Sequence, residues 1–517
     1  MHMKKIKINT CCHHSLGNKS AFRPDLFRSL RSTIKTLIKG KTRFFLAFLA
    51  VAIIPIFSGC GTSSTGGYIV NLEIWGTFDD SLVYSGIIDQ YKKINPYVGE
   101  IKYRKFSQDS YQKELLDALA SGQGPDIFLI GNGWLPSFEN KLEPAPAPLV
   151  SEQDMKNNFP DVVAGDFMSG GKAYAVPLSI NSMQLYYNRD MFNAAGITAP
   201  PKTWMEFQAD VQKMTRLNAN GNFDQSGAAI GTGVNINRAS DLLSLLMLQN
   251  GVEFPTKKGM LAKMDEGVVG KDGNVFQAGE QALGFYTQFA RLSTASNTIN
   301  QAYTWNNRQH YSVDAFAEGS VAMMFNYSWQ MAEIRNKNPK LNFSVAQVPQ
   351  INVDKPVTYA NYWGFAVARN KVASVSNVGG SPAAAPVSNE VRTHEAWQFL
   401  RFLTLKNSGT ITLYNATTKN SKDFPISFDP AMDYLKRTQQ PAARRDIIES
   451  QKTDSNLGPF ASGNLIAKHW YQSDPDAVDK IFSDMIESVN RGDVTLREAL
   501  SLAKNKINYL SGGSTTR

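Results

Sequence analysis

Residues 69–130 constrain the fold more than any other stretch. Residues 69–75 alternate apolar and polar as a half-buried strand does. Asp79 and Asp80 open a helix whose apolar residues Val83, Ile87, Tyr91 and Ile94 share one face, and Pro96 ends it. Residues 101–106 read as a second strand. Tyr111, Leu115 and Leu119 give the next helix one face, and Gly122 and Gly124 close it ahead of a third strand over 126–130. Two successive strand–helix–strand units predict a parallel sheet covered on both faces, hence an α/β fold.

The chain has 517 residues, long for one domain and comfortable for two. Its net charge of +9 is unevenly placed. Residues 1–59 hold eleven of the 54 Lys and Arg but only one of the 45 acids, Asp25, so the remainder carries 43 basic and 44 acidic residues. A near-neutral body without basic runs interleaved with aromatics gives no support to nucleic-acid binding.

The basic lead ends at Arg43, and residues 44–57 are fourteen mostly apolar residues. That length suits a signal-peptide hydrophobic region and is short of the ~20 residues of a membrane span. Ser58, Gly59 and Cys60 follow, and small residues before a Cys resemble a bacterial lipoprotein processing site. The resemblance implies lipidation of Cys60, although Phe57 stands where an aliphatic residue is usual. The competing reading is an uncleaved membrane anchor, and both put the body outside the cytoplasm. Cys11 and Cys12 precede the cleavage point, so no pair remains to oxidise and stability must come from the core. Crowded beside His13 and His14, they match no zinc spacing.

Residues 61–67 form a Gly/Ser/Thr tether. Further on, Thr203 and Glu206 form a capping box after Pro200 and Pro201, Asp474 with Pro475 starts another helix, and Thr495 with Glu498 caps the last. Residues 218–226 carry alternating side-chain oxygens but one carboxylate, Asp224, which favours a hairpin turn over a calcium loop. Residues 370–389 read as a loop insertion, and helical faces resume at Ala396, Phe399, Leu400 and Leu403. In residues 314–335 a helix stops at Gly319, a buried strand spans 321–325, and Ser328 stands as N-cap for a helix from Trp329 to about Asn336. Trp329 then lies where α/β sheets bind ligands, outside a strand's carboxyl end, or is simply core; spacing does not choose.

Phe316, Gly319, Ala322 and Met323, in the pattern F-x-x-G-x-x-A-M with Trp329 after them, resemble the signature of family 1 extracellular solute-binding proteins, the carbohydrate-type receptors of ATP-driven importers. The G-x-G-P-D run at 122–126 and a first strand ending in Trp75 agree with that family's amino lobe. The resemblance implies a two-lobed periplasmic-binding-protein-like fold, each lobe a mainly parallel sheet flanked by helices, with a ligand cleft between them. It divides the chain into lobe 1, residues 68–180 with 363–424, and lobe 2, residues 183–358 with 427–510, followed by a tail at 511–517. Crossings fall near 179–182, 359–363 and 423–427. The cleft residues it implies are Trp75, Asp79, Asp80, Asn132, Trp134 and Asn181 with Trp329, Trp363, Trp470 and Tyr471. Asp79 and Asp80 can also serve the helix N-terminus, and Trp134 can anchor a loop.

Downstream of Cys60 only His310, His394 and His469 remain, and GxSxG, HExxH and Walker A motifs are absent from the sequence. Acids abundant enough for a glycoside hydrolase pair keep that class open beside a surface adhesin. Aromatic residues beside small polar ones suit sugars, and also peptides or polyamines. The expectation is a monomeric, lipid-anchored binding protein without cofactor or metal. It would close about a hinge on an oligosaccharide and deliver it to an ABC importer permease.

Overall fold

The computed structural model describes residues 68–270, 273–292, 300–372 and 387–512. Cys60, where lipidation is expected, the lead before it, the tether after it, and most of the 370–389 insertion lie outside these.

The chain opens as the sequence periodicity predicts, with β1 (Val70–Gly76), α1 (Ser81–Ile94), β2 (Val98–Lys105), α2 (Gln108–Ser121) and β3 (Ile127–Gly131). After β4 (Ala175–Val176) it runs through β5 (Asn181–Ser182) into β6 (Gln184–Asn188) and α3 (Ala239–Gln249). Then come α4 (Ser312–Glu318), β7 (Met323–Asn326), α5 (Gln330–Lys337) and β8 (Phe343–Ala346). It returns through β9 (Thr358–Asn361) and β10 (Trp363–Val367) to α6 (Asn389–Thr404) and α7 (Pro430–Thr438). A short helix α8 (Gly458–Asn464), strand β11 (Ala467–Lys468) and helices α9 (Pro475–Arg491) and α10 (Leu496–Leu510) complete it. Both predicted capping boxes form, at Thr203 with Glu206 and at Thr495 with Glu498. Asp474 caps α9 with Pro475 in its first turn, and residues 216–225 make an antiparallel hairpin. Among the described residues, no helix is long and apolar enough to cross a membrane.

Two separate hydrophobic cores result. The first surrounds a five-stranded sheet in the order β2-β1-β3-β10-β4, with β1 parallel to both neighbours and β10 antiparallel to β3 and β4. The second surrounds β7-β6-β8, where both pairings are antiparallel, so the parallel sheet expected of this lobe is not its pattern. The one parallel contact onto β7's approach is a bridge from Ser226 to Val321. Strand β7 is fully buried, which a short apolar run permits, and α4 stops before it at Gly319, whose φ of 79° takes the left-handed C-cap conformation that glycine accepts without strain.

The two cores are joined by three crossings that hydrogen-bond to one another as a three-stranded sheet, β11-β9-β5. Each strand changes core within a few residues: Ile180 belongs to the first and Met183 to the second, Tyr359 to the second and Ala360 to the first, Ala467 to the first and Trp470 to the second. The third crossing is therefore not at 423–427. Residues 421–425 form a hairpin strand against 410–414, and Ala431, Tyr434, Leu435 and Ile448 fill the first core. Placing 427–510 wholly in the second lobe fails for this reason. The chain instead passes over at β11, after α8, a helix that both cores share, with Phe460 in the second and Ala461 in the first. That helix lies so close on the hinge that a Cβ at Gly463 would come within 2.5 Å of Ser182 Oγ.

Candidate functional site

A cavity of about 340 Å³ lies between the two cores beside β5. The loop after β1 brings Phe78 and Asp79 from the first core, the carboxyl end of that strand being where α/β sheets place ligands. From the second core come Trp329, just after β7, and Arg238, just before α3. The hinge strands add Asn181 and Asn361, and the chain beyond α7 adds Gln440.

Aromatic rings form much of the wall. Trp329 is half-buried, with its ring 4.5 Å from that of Tyr327 and tilted 27° to it, and the Arg238 guanidinium stands 5.6 Å from its centroid. Trp363 meets Phe78 edge-on at 5.4 Å and is backed by Trp134 at 4.9 Å. Polar groups are partly committed. Asp79 Oδ2 accepts from the Tyr84 hydroxyl at 2.6 Å and the Tyr434 hydroxyl at 3.1 Å. Burial holds this carboxyl above its ordinary range, against the pull of those two hydroxyls. Asn181 Nδ2 donates to Gln440 Oε1 at 3.4 Å, and its Oδ1 accepts from Ser328.

Backbone strain concentrates here. Arg238 has φ 62° and Gln439, which precedes Gln440, has φ 54°; among the described residues Lys419 is the third non-glycine residue with positive φ. Each such residue costs of order 1–2 kcal/mol, and strain of this kind gathers at functional sites.

A second cavity, about 800 Å³, opens at the other edge of the hinge sheet beside β11. Asp166 organises its wall: Tyr362 Oη donates to Asp166 Oδ2 at 2.7 Å, Asn132 Nδ2 lies 3.5 Å from the same oxygen, and His469 Nδ1 lies 3.3 Å from Oδ1. Lys257, Lys258 and Lys468 stand around it, exposed.

Of the residues expected in a cleft, Asp79, Asn181, Trp329 and Trp363 line the smaller cavity together, with Trp134 directly behind. Asn132 and Tyr471 line the larger one. Three others stand elsewhere. Trp75 is on an interior strand covered on both faces, buried against Phe106 with its indole N–H on Glu73. Trp470 is 1% exposed, stacked between Phe254 and Phe482, a core side chain. Asp80 points to solvent at the N-cap of α1 and pairs with Lys105. Ser328 does not cap α5; its hydroxyl is drawn instead to Asn181 across the hinge, and the helix starts one residue later than expected. Sequence reasoning missed Phe78, Arg238 and Gln440. Phe78 sits one residue from an expected one, but nothing in the pattern around Arg238 or Gln440 marks them.

A family model described as bacterial extracellular solute-binding protein matches residues 86–420. A Brucella abortus protein named as a binding protein is 22% identical over 452 residues, covering 84% of this chain and 95% of its own. Among solved structures, the cyclic α-maltosyl-1,6-maltose binding protein of Arthrobacter globiformis superposes with a TM-score of 0.63 at 18% identity, over 86% of this chain and 99% of that one. UgpB of Mycobacterium tuberculosis, solved with glycerophosphocholine, does so at 0.59 and 16%, over 85% and 98%. At such identities the structures speak to the two-lobed fold alone. The family match covers more than half of the chain, across both cores and the first two crossings, and by it this chain belongs to the bacterial extracellular solute-binding proteins.

Proposed function

We propose that this protein is a monomeric receptor held at the outer face of the cell membrane by a lipidated Cys60. It captures an oligosaccharide in the cavity beside β5 by closing about the three hinge strands, and delivers it to an ABC importer permease. The observation that carries this reading is the cavity itself: Trp329 from one core and Phe78 and Trp363 from the other, with amides between, at a hinge. Sugars offer flat C–H faces to such rings and hydroxyls to such amides. Aromatic wall and polar floor thus suit a sugar, and the cyclic-maltosaccharide-binding neighbour supports that choice over a peptide or polyamine.

The enzyme alternative is weaker at this cavity. A glycoside hydrolase needs two facing carboxylates, and Asp79 is the single carboxylate lining it among the described residues. Calorimetry and small-angle scattering of the full chain in detergent, with a panel of linear and cyclic oligosaccharides, test the reading. Saturable binding with compaction and intact sugar is expected. Hydrolysis of the sugar, or saturation without compaction, overturns it. Mass spectrometry tests the anchor: a wild-type protein still carrying residues 1–59 removes the lipid from the account, and Cys60→Ala should stop processing.

A further inference from the structure

Arg238 is the one cation lining the cavity beside β5 among the described residues. It stands at the N-cap of α3, a place that short oxygen-bearing side chains usually take, and in the left-handed region that an arginine enters only under strain. Its guanidinium lies 5.6 Å from the Trp329 ring and 5.9 Å from the Tyr327 ring, and it makes no ion pair or hydrogen bond among the described residues. A guanidinium carries five N–H donors, so this one has its fork unspent.

The acids around it are occupied. Asp241, buried, accepts the Tyr327 hydroxyl at 2.8 Å, and Asp479 accepts the Ser240 hydroxyl. Both favour the charged form of Arg238 from a distance, so it remains a full cation despite the burial that opposes its charge. Asp79, the cavity's carboxylate, is engaged by Tyr84 and Tyr434. The cavity therefore holds a partly desolvated cation with free donors and no anion close enough to pair with it. A neutral sugar would answer it with hydroxyls alone. A carboxylate matches the planar fork in a bidentate pair and removes the penalty of closing the lobes over an unpaired charge.

We propose that the solute is an acidic saccharide of the uronic-acid type, its ring against the Trp329 wall and its carboxylate on Arg238. This rests on the solute-binding reading above and names the charge of the ligand. The test is calorimetry on the full chain in detergent, with trigalacturonate, maltotriose and glucose 1-phosphate as probes, on wild type, Arg238→Gln and Arg238→Lys. Trigalacturonate should bind wild type about tenfold or more tighter than maltotriose, the worth of a hydrogen bond to a charged group. Arg238→Gln should abolish that preference, weakening trigalacturonate about tenfold more than it weakens maltotriose, and Arg238→Lys should restore part of it. Maltotriose binding as tightly as trigalacturonate, or Arg238→Gln weakening both equally, overturns the proposal and leaves the receptor reading intact. Glucose 1-phosphate binding tighter than trigalacturonate overturns the carboxylate. No binding of any probe to wild type with an ordinary melting transition counts against receptor and proposal together.

Discussion

The cavity beside β5 is lined by rings, amides and a partly buried cation whose donors are unspent, and the cavity beside β11 by a bonded cluster around Asp166 with exposed lysines at its rim. The second is more than twice the volume of the first. At its wall Asp166 collects Tyr362, His469 and Asn132, so its polar atoms serve the hinge. In the smaller cavity Arg238 and the side chains of Asn361 and Gln108 have no hydrogen-bond partner among the described residues. Size alone would choose the larger cavity. What marks the smaller one is bonding capacity left over on a partly buried side chain, where water cannot fully answer it.

The sharpest way to break this contrast is to treat the tryptophans of the two sides alike. Trp470, behind the larger cavity, is enclosed by Phe254 and Phe482 and donates to Ser244 Oγ at 3.2 Å. Trp470→Ala should cost about 3–5 kcal/mol of stability, read as a large fall in melting temperature. A small fall would mean that this wall is loosely packed and free to bind.

Asp166→Asn comes next. It weakens the acceptor that Tyr362 and His469 share, with an expected loss of about 1.5–3 kcal/mol in denaturant unfolding. Affinity for the solute should move less than about threefold. A loss of binding at unchanged stability would instead make the larger cavity part of the site.

Trp329→Ala should do the reverse, weakening solute binding about tenfold, or ~1.4 kcal/mol, with a melting temperature close to wild type. Unchanged affinity with a strongly lowered melting temperature would return Trp329 to the core, against which its ring also leans.

How far these positions could be read beforehand follows from the range of the signals. The first three strands and two helices were legible because residues 69–130 carry periodicity that depends only on neighbours in sequence. Capping at Thr203, Asp474 and Thr495 is local in the same sense. Trp329 was reachable through its position at a strand end, and Asp79 through the family resemblance. Trp75 and Trp470 were misplaced because an indole gives no sign of which side of its strand is covered. The third crossing was missed because β11 is only two residues long and α8 ahead of it already belongs to both cores. Arg238 was invisible because its place in the cavity comes from Trp329, 91 positions away, reached only once the end of β7 meets the start of α3.

The smallest effect concerns Asp79, where the smaller cavity differs from its neighbour in how its carboxylate is housed. Burial raises the Asp79 pKa above the ordinary 3.8, and the Tyr84 and Tyr434 hydroxyls only partly oppose it. The folded state thus binds a proton more tightly than the unfolded chain. Between the unfolded pKa and the raised folded one, the native state carries more protons, so stability contributed by Asp79 is full below that window and is lost as pH rises through it. Asp79→Asn removes this titration. The stability of wild type relative to Asp79→Asn should therefore decline as pH rises from about 3.5 to 7, by an amount below that of any variant above. Denaturant unfolding of both proteins across that range measures it. A difference that grows with pH would mean that the two tyrosine hydroxyls outweigh burial and hold Asp79 as a stabilised anion, which would leave the smaller cavity with a fixed negative charge facing Arg238.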